Sequence, residues 1–238
     1  MKIGILGGGL TGLTLASLLT HDCEVLEKNI ECGGLCRSLQ EDGFTFDFGG
    51  AHIIFSKNQK PVDFMLKTLG ENYEQHRRNN KVFFKDRYVK YPFENGLSEL
   101  PKVDTFECLY YYLMNNYDKP ANFKQWIYYT FGKGIAEKYL IPYNEKIWNC
   151  NTSEMSMHWV SDRVPKPPME DIVKSAVGLE TEGYAHQLYF YYPKHGGIQA
   201  LIKSLESKVS KITRNFNAGT IRKKGNKWYV SNGEEATF

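Results

Sequence analysis

The sequence predicts an α/β chain (α+β overall) in which a Rossmann-like dinucleotide-binding domain is interrupted by a mainly helical insertion. Three observations carry this. A strand, a glycine-rich turn and an apolar helix follow one another in the first 20 residues. A second strand then ends in a carboxylate. Between residues 61 and 194 the strand–helix alternation gives way to aromatic-rich, helical sequence. At 238 residues the chain can bury a real core in one large or two small domains.

Lys2 to Leu6 reads as a short buried strand, and Gly7-x-Gly9-x-x-Gly12 follows at once. Leu13 to Leu19 reads as an apolar helix. Gly7 serves the tight turn, Gly9 lets backbone approach a pyrophosphate, and Gly12 allows close helix–strand contact. The helix start offers free N–H groups and the positive end of its dipole to phosphates. The next strand, Glu24 to Glu27, ends in a carboxylate about 20 residues beyond the first glycine, where ribose hydroxyls are expected. Glu27 in place of Arg disfavours a 2′-phosphate, so NADP is not expected. The uncharged stretch Ile3 to Thr20 could be misread as a signal peptide. Its five glycines, spaced as the fingerprint requires, favour strand, turn and helix.

Gly33-Gly34-Leu35-Cys36-Arg37-Ser38 comes next, then two hairpin strands, Ser38 to Gln40 and Phe44 to Phe48, about Asp42-Gly43. They end in Asp47-Phe48-Gly49-Gly50-Ala51-His52. Paired glycines let backbone lie against a flat ring or a phosphate, and Arg37 can neutralise a pyrophosphate. These segments have no task in an NAD dehydrogenase and select FAD.

Further on, Pro61 to Leu69 is a predicted helix, and Lys81 to Phe84 with Tyr88 to Tyr91 a hairpin about Lys85-Asp86-Arg87. Thr105 to Tyr143 is predicted helical, with Leu109, Tyr112, Leu113, Trp126, Ile127 and Ile135 at three- and four-residue steps. Pro165-Lys166-Pro167-Pro168 marks a loop. Ile198 to Leu205 is a returning helix, and Thr220 to Lys223 with Lys227 to Val230 a hairpin about Gly225-Asn226. The chain stops at Phe238, where a further strand is expected to begin.

A net charge of +3 does not point to nucleic acid, and the basic cluster from Lys208 to Lys227 reads as a solvated face. Five cysteines without Cys-x-x-Cys spacing fit reduced thiols in the cytoplasm and not a metal site. No membrane span is expected, and the oligomeric state is left open.

The FAD segments resemble those of the flavoprotein group that holds amine oxidases, protoporphyrinogen oxidase and UDP-galactopyranose mutase. Tyr192-Pro193-Lys194-His195-Gly196-Gly197 and its following helix resemble the segment by which that group returns to its FAD domain. Within the group the sequence is most similar to the mutases. Gly50-Ala51-His52-Ile53-Ile54-Phe55 resembles their Gly-x-His-x-x-Phe, and Tyr91-Pro92-Phe93-Glu94-Asn95 their Tyr-Pro-Phe-Gln-Asn, with Glu94 departing from Gln. Tyr143 to Trp148 and Trp159 to Val164 resemble two further segments.

The resemblance implies an FAD-binding domain of residues 1–60 plus 195–238 and an inserted substrate domain of residues 61–194. The implied cofactor-binding residues are Gly7, Gly9, Leu10, Thr11, Gly12, Glu27, Lys28, Gly34, Leu35, Arg37, Ser38, Gly50, Ala51 and His52. His52 and Arg163 are the implied catalytic residues, with His52 beside the isoalloxazine and Arg163 near phosphates. Tyr91, Phe93, Asn144 and Trp148 would bind a small substrate such as a UDP-sugar. For each, a bland reading stands beside the functional one: core aromatics for Tyr91 and Trp148, a turn residue for His52, a surface ion pair for Arg163. The implied function is interconversion of sugar ring forms by reduced flavin. The alternatives are an oxidoreductase of the amine oxidase type and an inactive, truncated dinucleotide-binding fragment, since the family is nearly twice this length.

Overall fold

The computed structural model describes all residues except 1, 161–163, 165, 182–187 and 234. The chain forms two compact units, Met1–Arg78 with His186–Phe238, and Asn79–Ala185. In the first, β1 (Ile3–Leu6) runs parallel to β2 (Cys23–Leu26), and helix α1 (Leu10–Leu18) connects them. The short β9 (Ile212–Thr213) extends this sheet beside β2. Buried on all four residues, β2 lies at its centre, as expected for a parallel strand covered on both faces. At Gly12 a β-carbon would run into the Gly7 carbonyl, so close packing of helix on turn needs glycine there.

The hairpin β3 (Ser38–Glu41) and β4 (Phe44–Asp47) turns at Asp42-Gly43, both at positive φ. Helix α2 (Gln59–Leu69) starts at an Asn58 side-chain cap and buries Val62 and Leu69 among Leu13, Leu201, Ile202 and Leu205. The last three belong to helix α7 (Gln199–Glu206). Strand β5 (Glu74–Arg77) pairs antiparallel with β8 (Tyr189–Tyr192). The first unit is therefore larger than the expected 1–60 plus 195–238, because α2 packs on the returning helix and β5 pairs with the returning strand. A meander of β10 (Thr220–Lys224), β11 (Lys227–Ser231) and β12 (Glu235–Thr237) ends the chain.

The second unit opens with the hairpin β6 (Lys81–Phe84) and β7 (Arg87–Lys90), turned at Lys85-Asp86 with φ of 45° and 62°. Two 3₁₀ turns lead to α3 (Lys102–Leu113) and α4 (Phe123–Ile135), then a π-helical turn (Ala136–Leu140), α5 (Ile141–Trp148) and α6 (Met169–Ala176). Phe93, Phe123, Ile127, Phe131 and Ile135 are fully buried together. Gly132 breaks the helical path of α4 at φ 69°, where a β-carbon would strike the Tyr111 carbonyl of α3. Of the predicted helix-face residues, Leu113 instead points out, 50% exposed.

All five cysteines are free thiols. Burial pushes the Cys32 and Cys108 thiols up to about 12, so both stay protonated and unreactive. Among the described residues no helix is long and apolar enough to cross a membrane, and no group of His, Cys, Asp and Glu could hold a metal ion.

Candidate functional site

The first unit gathers the glycine segments at the ends of β1 and β2. Gly7 N–H donates to the Leu26 carbonyl at 2.8 Å, and Gly33 N–H to the Gly8 carbonyl at 2.8 Å. A β-carbon on Gly34 would lie 3.9 Å from Gly9 Cα, so the two glycine segments meet. Glu27 is 5% exposed and holds the turn from behind. It accepts from Gly8 N–H at 2.7 Å through Oε2 and from Asn29 N–H at 2.8 Å through Oε1. Each oxygen has used one acceptor position on backbone, leaving a second for a ribose hydroxyl. Leu10 is half-buried, and Thr11, Lys28 and Leu35 are exposed along this edge.

Helix α1 starts at Gly9 with no side-chain cap and no acidic residue in its first turn. Its leading N–H groups are thus left for a ligand. A β-carbon on Gly9 would have nothing within 4 Å, which marks open space directly before the helix start. Arg37 stands at the rim. Its Nε donates to the Gly34 carbonyl at 3.0 Å, and its guanidinium lies 4.5 Å from the Phe48 ring centroid.

A second focus of the same unit is Asp47, which the site residues expected from sequence did not include. Oδ1 accepts from the Ser38 hydroxyl at 2.8 Å and from Ile198 N–H at 3.1 Å. Oδ2 accepts from the Tyr192 hydroxyl at 2.8 Å and from His52 N–H at 3.4 Å. Burial pushes the carboxyl up, but the hydrogen bonds from Tyr192, Ser38, Ile198 and His52 outweigh it and hold Asp47 below its ordinary value. Burial and the Asp47 charge together raise the Tyr192 phenol. An open cleft of ≈ 430 Å³ adjoins Asp47, lined also by Gly50, Ala51, Ile53 and Tyr192. The signal in sequence was the aspartate ahead of a double glycine.

His52 is half-buried, and its Nε2 is buried without a protein hydrogen-bond partner. A buried ring nitrogen of this kind calls for a partner from outside the protein. Together with the open, uncapped helix start, it fits a bound dinucleotide with a polar ring system. Ser38 is occupied structurally: besides Asp47 it accepts from Gln199 N–H at 3.2 Å, and its own N–H donates to Gln199 Oε1 at 3.1 Å.

The second unit carries the other expected residues. Tyr91 is half-buried, at a cis peptide bond to Pro92. Phe93 is 0% exposed and stacks on Tyr139 at 4.8 Å, so direct contact with a substrate is corrected to a packing role. Glu94 is 4% exposed in the same turn. Asn144 is also buried, and its amide donates to the Leu140 carbonyl at 2.7 Å. Trp148 is no core residue: it is 53% exposed and packs edge-on to Trp159 at 5.5 Å. Arg163 lies outside the described residues.

Residues 5–69 match the family described as an NAD(P)-binding Rossmann-like domain. A 4,4'-diapophytoene desaturase of Staphylococcus aureus (strain MRSA252) is 39% identical over 79 residues, 32% of this chain and 15% of the desaturase. The crystal structure of a reduced UDP-galactopyranose mutase matches 99% of this chain at 33% identity with a TM-score of 0.88, and 53% of the mutase is covered. A protein described as a protoporphyrinogen oxidase from Exiguobacterium sp. 255-15 matches 99% at 18% identity and a TM-score of 0.67, with 57% of it covered. The chain thus spans about half the length of these solved structures. Its residues 5–69 thus match a Rossmann-like domain, and nearly its whole length resembles in fold about half of UDP-galactopyranose mutase.

Proposed function

We propose that the first unit holds FAD and that this fold, at the length of its relatives, works as a UDP-galactopyranose mutase-like enzyme. The observation that carries the reading is the likeness to the reduced mutase: 33% identity and a TM-score of 0.88, against 18% and 0.67 for the oxidase. Backbone at Gly7, Gly9, Leu10, Thr11 and Gly12 takes the pyrophosphate, with Glu27 and Lys28 at the ribose. Gly34, Leu35, Arg37 and Ser38 continue the binding edge, and Gly50, Ala51 and His52 meet the isoalloxazine. When bound and reduced, FAD supplies a nucleophilic ring nitrogen for an exchange of sugar ring forms without net redox change. The protein's own share is orientation. Tyr91, Asn144 and Trp148 hold the sugar nucleotide, and Arg163 neutralises its diphosphate.

A reducing cytoplasm suits its five free thiols. The 238 residues alone are expected to bind FAD weakly and not to turn over, because the matched mutase is covered only to 53%. A second reading, an FAD-dependent oxidoreductase, is favoured by the 39% identity to the desaturase over 79 residues.

Titration with FAD and then UDP, followed in the visible spectrum, tests both. Uptake of FAD with UDP-dependent change of the flavin bands supports the mutase reading. Uptake of FAD with no response to UDP favours the oxidoreductase. A chain that ignores FAD overturns the cofactor assignment.

A further inference from the structure

We propose that Asp47 is a positioning residue for His52, its carboxylate fixing through the His52 backbone N–H where the imidazole stands toward a bound flavin. The inference rests on the reading that FAD binds the first unit, and it concerns a residue outside the binding set named for it. Asp47 collects four donors from four places in the sequence: Ser38, His52, Tyr192 and Ile198. Three of these sites are otherwise anchored. Ser38 is in the β3–β4 ladder, Tyr192 in the β5–β8 ladder, and Ile198 leads into α7.

Among the described residues the turn that carries His52 has no such support on its approach. Gly49 and Gly50 stand at φ 89° and 109°, and a β-carbon on Gly50 would meet nothing within 4 Å. Regular pairing resumes only at Ile54, which bridges to Tyr191. Asp47 Oδ2 is therefore what ties the backbone at His52, and the imidazole beyond it keeps its buried, unpartnered Nε2. A charged acceptor strengthens a long bond such as this one at 3.4 Å.

Asp47→Asn separates positioning from folding. Asparagine offers one acceptor oxygen and one donor nitrogen in the same shape. With its oxygen on the Oδ1 side it still serves Ile198 N–H and the Ser38 hydroxyl. Its nitrogen then donates to the Tyr192 oxygen, which can accept, while His52 N–H faces a donor and loses its acceptor. The variant should fold. In ¹H–¹⁵N spectra the His52 amide should shift upfield and lose its exchange protection, with Ile198 keeping both. Tyr192→Phe, which leaves the carboxylate in place, should keep the His52 signal protected.

With FAD added, Asp47→Asn should shift the flavin absorption bands, and the shift should vanish in a His52→Ala background. An unchanged His52 amide overturns the inference. So does a flavin shift of equal size when His52 is alanine, which a merely structural role would give. Failure of the FAD reading looks different: the wild-type chain then takes up no FAD, and the flavin role of Asp47 falls with it even where the amide responds as expected.

Discussion

The first unit keeps its candidate ligand site on backbone, whereas the second unit is held by its side chains. In the first, the turn at Gly7 to Gly9 is fixed by N–H bonds to Leu26 and Glu27, and the His52 turn by the Asp47 carboxylate. Its large apolar residues around these turns, Leu35, Phe44, Phe46 and Phe48, are exposed. In the second, Phe93, Phe123 and Phe131 are 0–1% exposed, and close ring pairs link Phe93 to Tyr139 and Phe123 to Trp159. Open glycine surfaces can change shape chemistry without costing the fold, while a filled aromatic core cannot. Substitutions in the first unit should therefore register in binding, and those in the second in stability.

The largest effect should come from Phe93→Ala. The ring is wholly buried and stacked, so its loss should cost about 3–5 kcal/mol in urea denaturation followed by tryptophan fluorescence. A loss below about 1 kcal/mol would break the comparison at its strongest point. Gly9→Val should do the reverse. Gly9 has φ −77°, an ordinary value, and open space at its β-carbon, so the melting temperature should hold. FAD affinity should fall at least about 100-fold, equivalent to roughly 2.7 kcal/mol, because valine fills the space a pyrophosphate needs. A variant that melts early, or that binds FAD normally, places the phosphate site elsewhere.

The same contrast explains how much could be read from sequence. The β1–α1–β2 unit was legible because its glycine spacing is a local signal. All three hairpin turns were legible too, at Asp42-Gly43, Lys85-Asp86 and Gly225-Asn226, with Asp42, Gly43, Lys85, Asp86 and Gly225 at positive φ. The division of residues 102–148 into α3, α4, a π-helical turn and α5 was not. The break at Gly132 depends on the Tyr111 carbonyl of another helix, which no local pattern announces. The packing of α2 was illegible for a like reason, since α2 finds its partner in α7, more than a hundred residues later. Phe93 was misplaced because a motif shows which residues accompany a site and not which of them touch the ligand. Asp47 was read only as part of its glycine-rich segment, because the four donors that meet its carboxylate are spread over 160 residues.

Each unit also buries one carboxylate between two lysines, and here their difference is one of degree. Glu24 meets Lys2 Nζ at 2.7 Å and Lys211 Nζ at 3.1 Å, and accepts from the Thr213 hydroxyl at 2.7 Å. Asp104 meets Lys85 and Lys138, each at 2.8 Å. Burial raises the Glu24 carboxyl, but Lys2, Thr213 and Lys211 prevail and bring it from 4.5 to about 2. A depressed carboxylate contributes stability that is complete above its ordinary value and is lost as pH falls through the folded one. Glu24→Gln should cost about 1–2 kcal/mol at pH 7, a modest figure because both lysines are partly exposed. It should also flatten the fall in melting temperature between pH 4.5 and about 2, leaving the shares of the other depressed carboxylates, Asp47 and Asp104 among them. An acid limb unchanged by Glu24→Gln would assign that limb to other groups.

The smallest stability effect tests an exposed aromatic of the second unit. Trp148 closes α5, is 53% exposed, and packs edge-on against Trp159. Its replacement by alanine should cost no more than about 1 kcal/mol, the scale of one exposed aromatic pair. Phe83, Tyr88 and Phe106 of this unit are exposed as well, so a ligand role for Trp148 rests on the proposed substrate site and not on its exposure. UDP should therefore quench the tryptophan emission of the wild-type chain, and Trp148→Ala should remove most of that response. Trp228→Ala is the control, since Trp228 is similarly exposed at 49% but sits on the terminal meander of the first unit. If quenching survives in Trp148→Ala and is lost in Trp228→Ala, nucleotide binds the first unit and the substrate assignment of the second is wrong. If Trp148→Ala instead destabilises as much as Phe93→Ala, the exposed ring is structural and not a ligand platform.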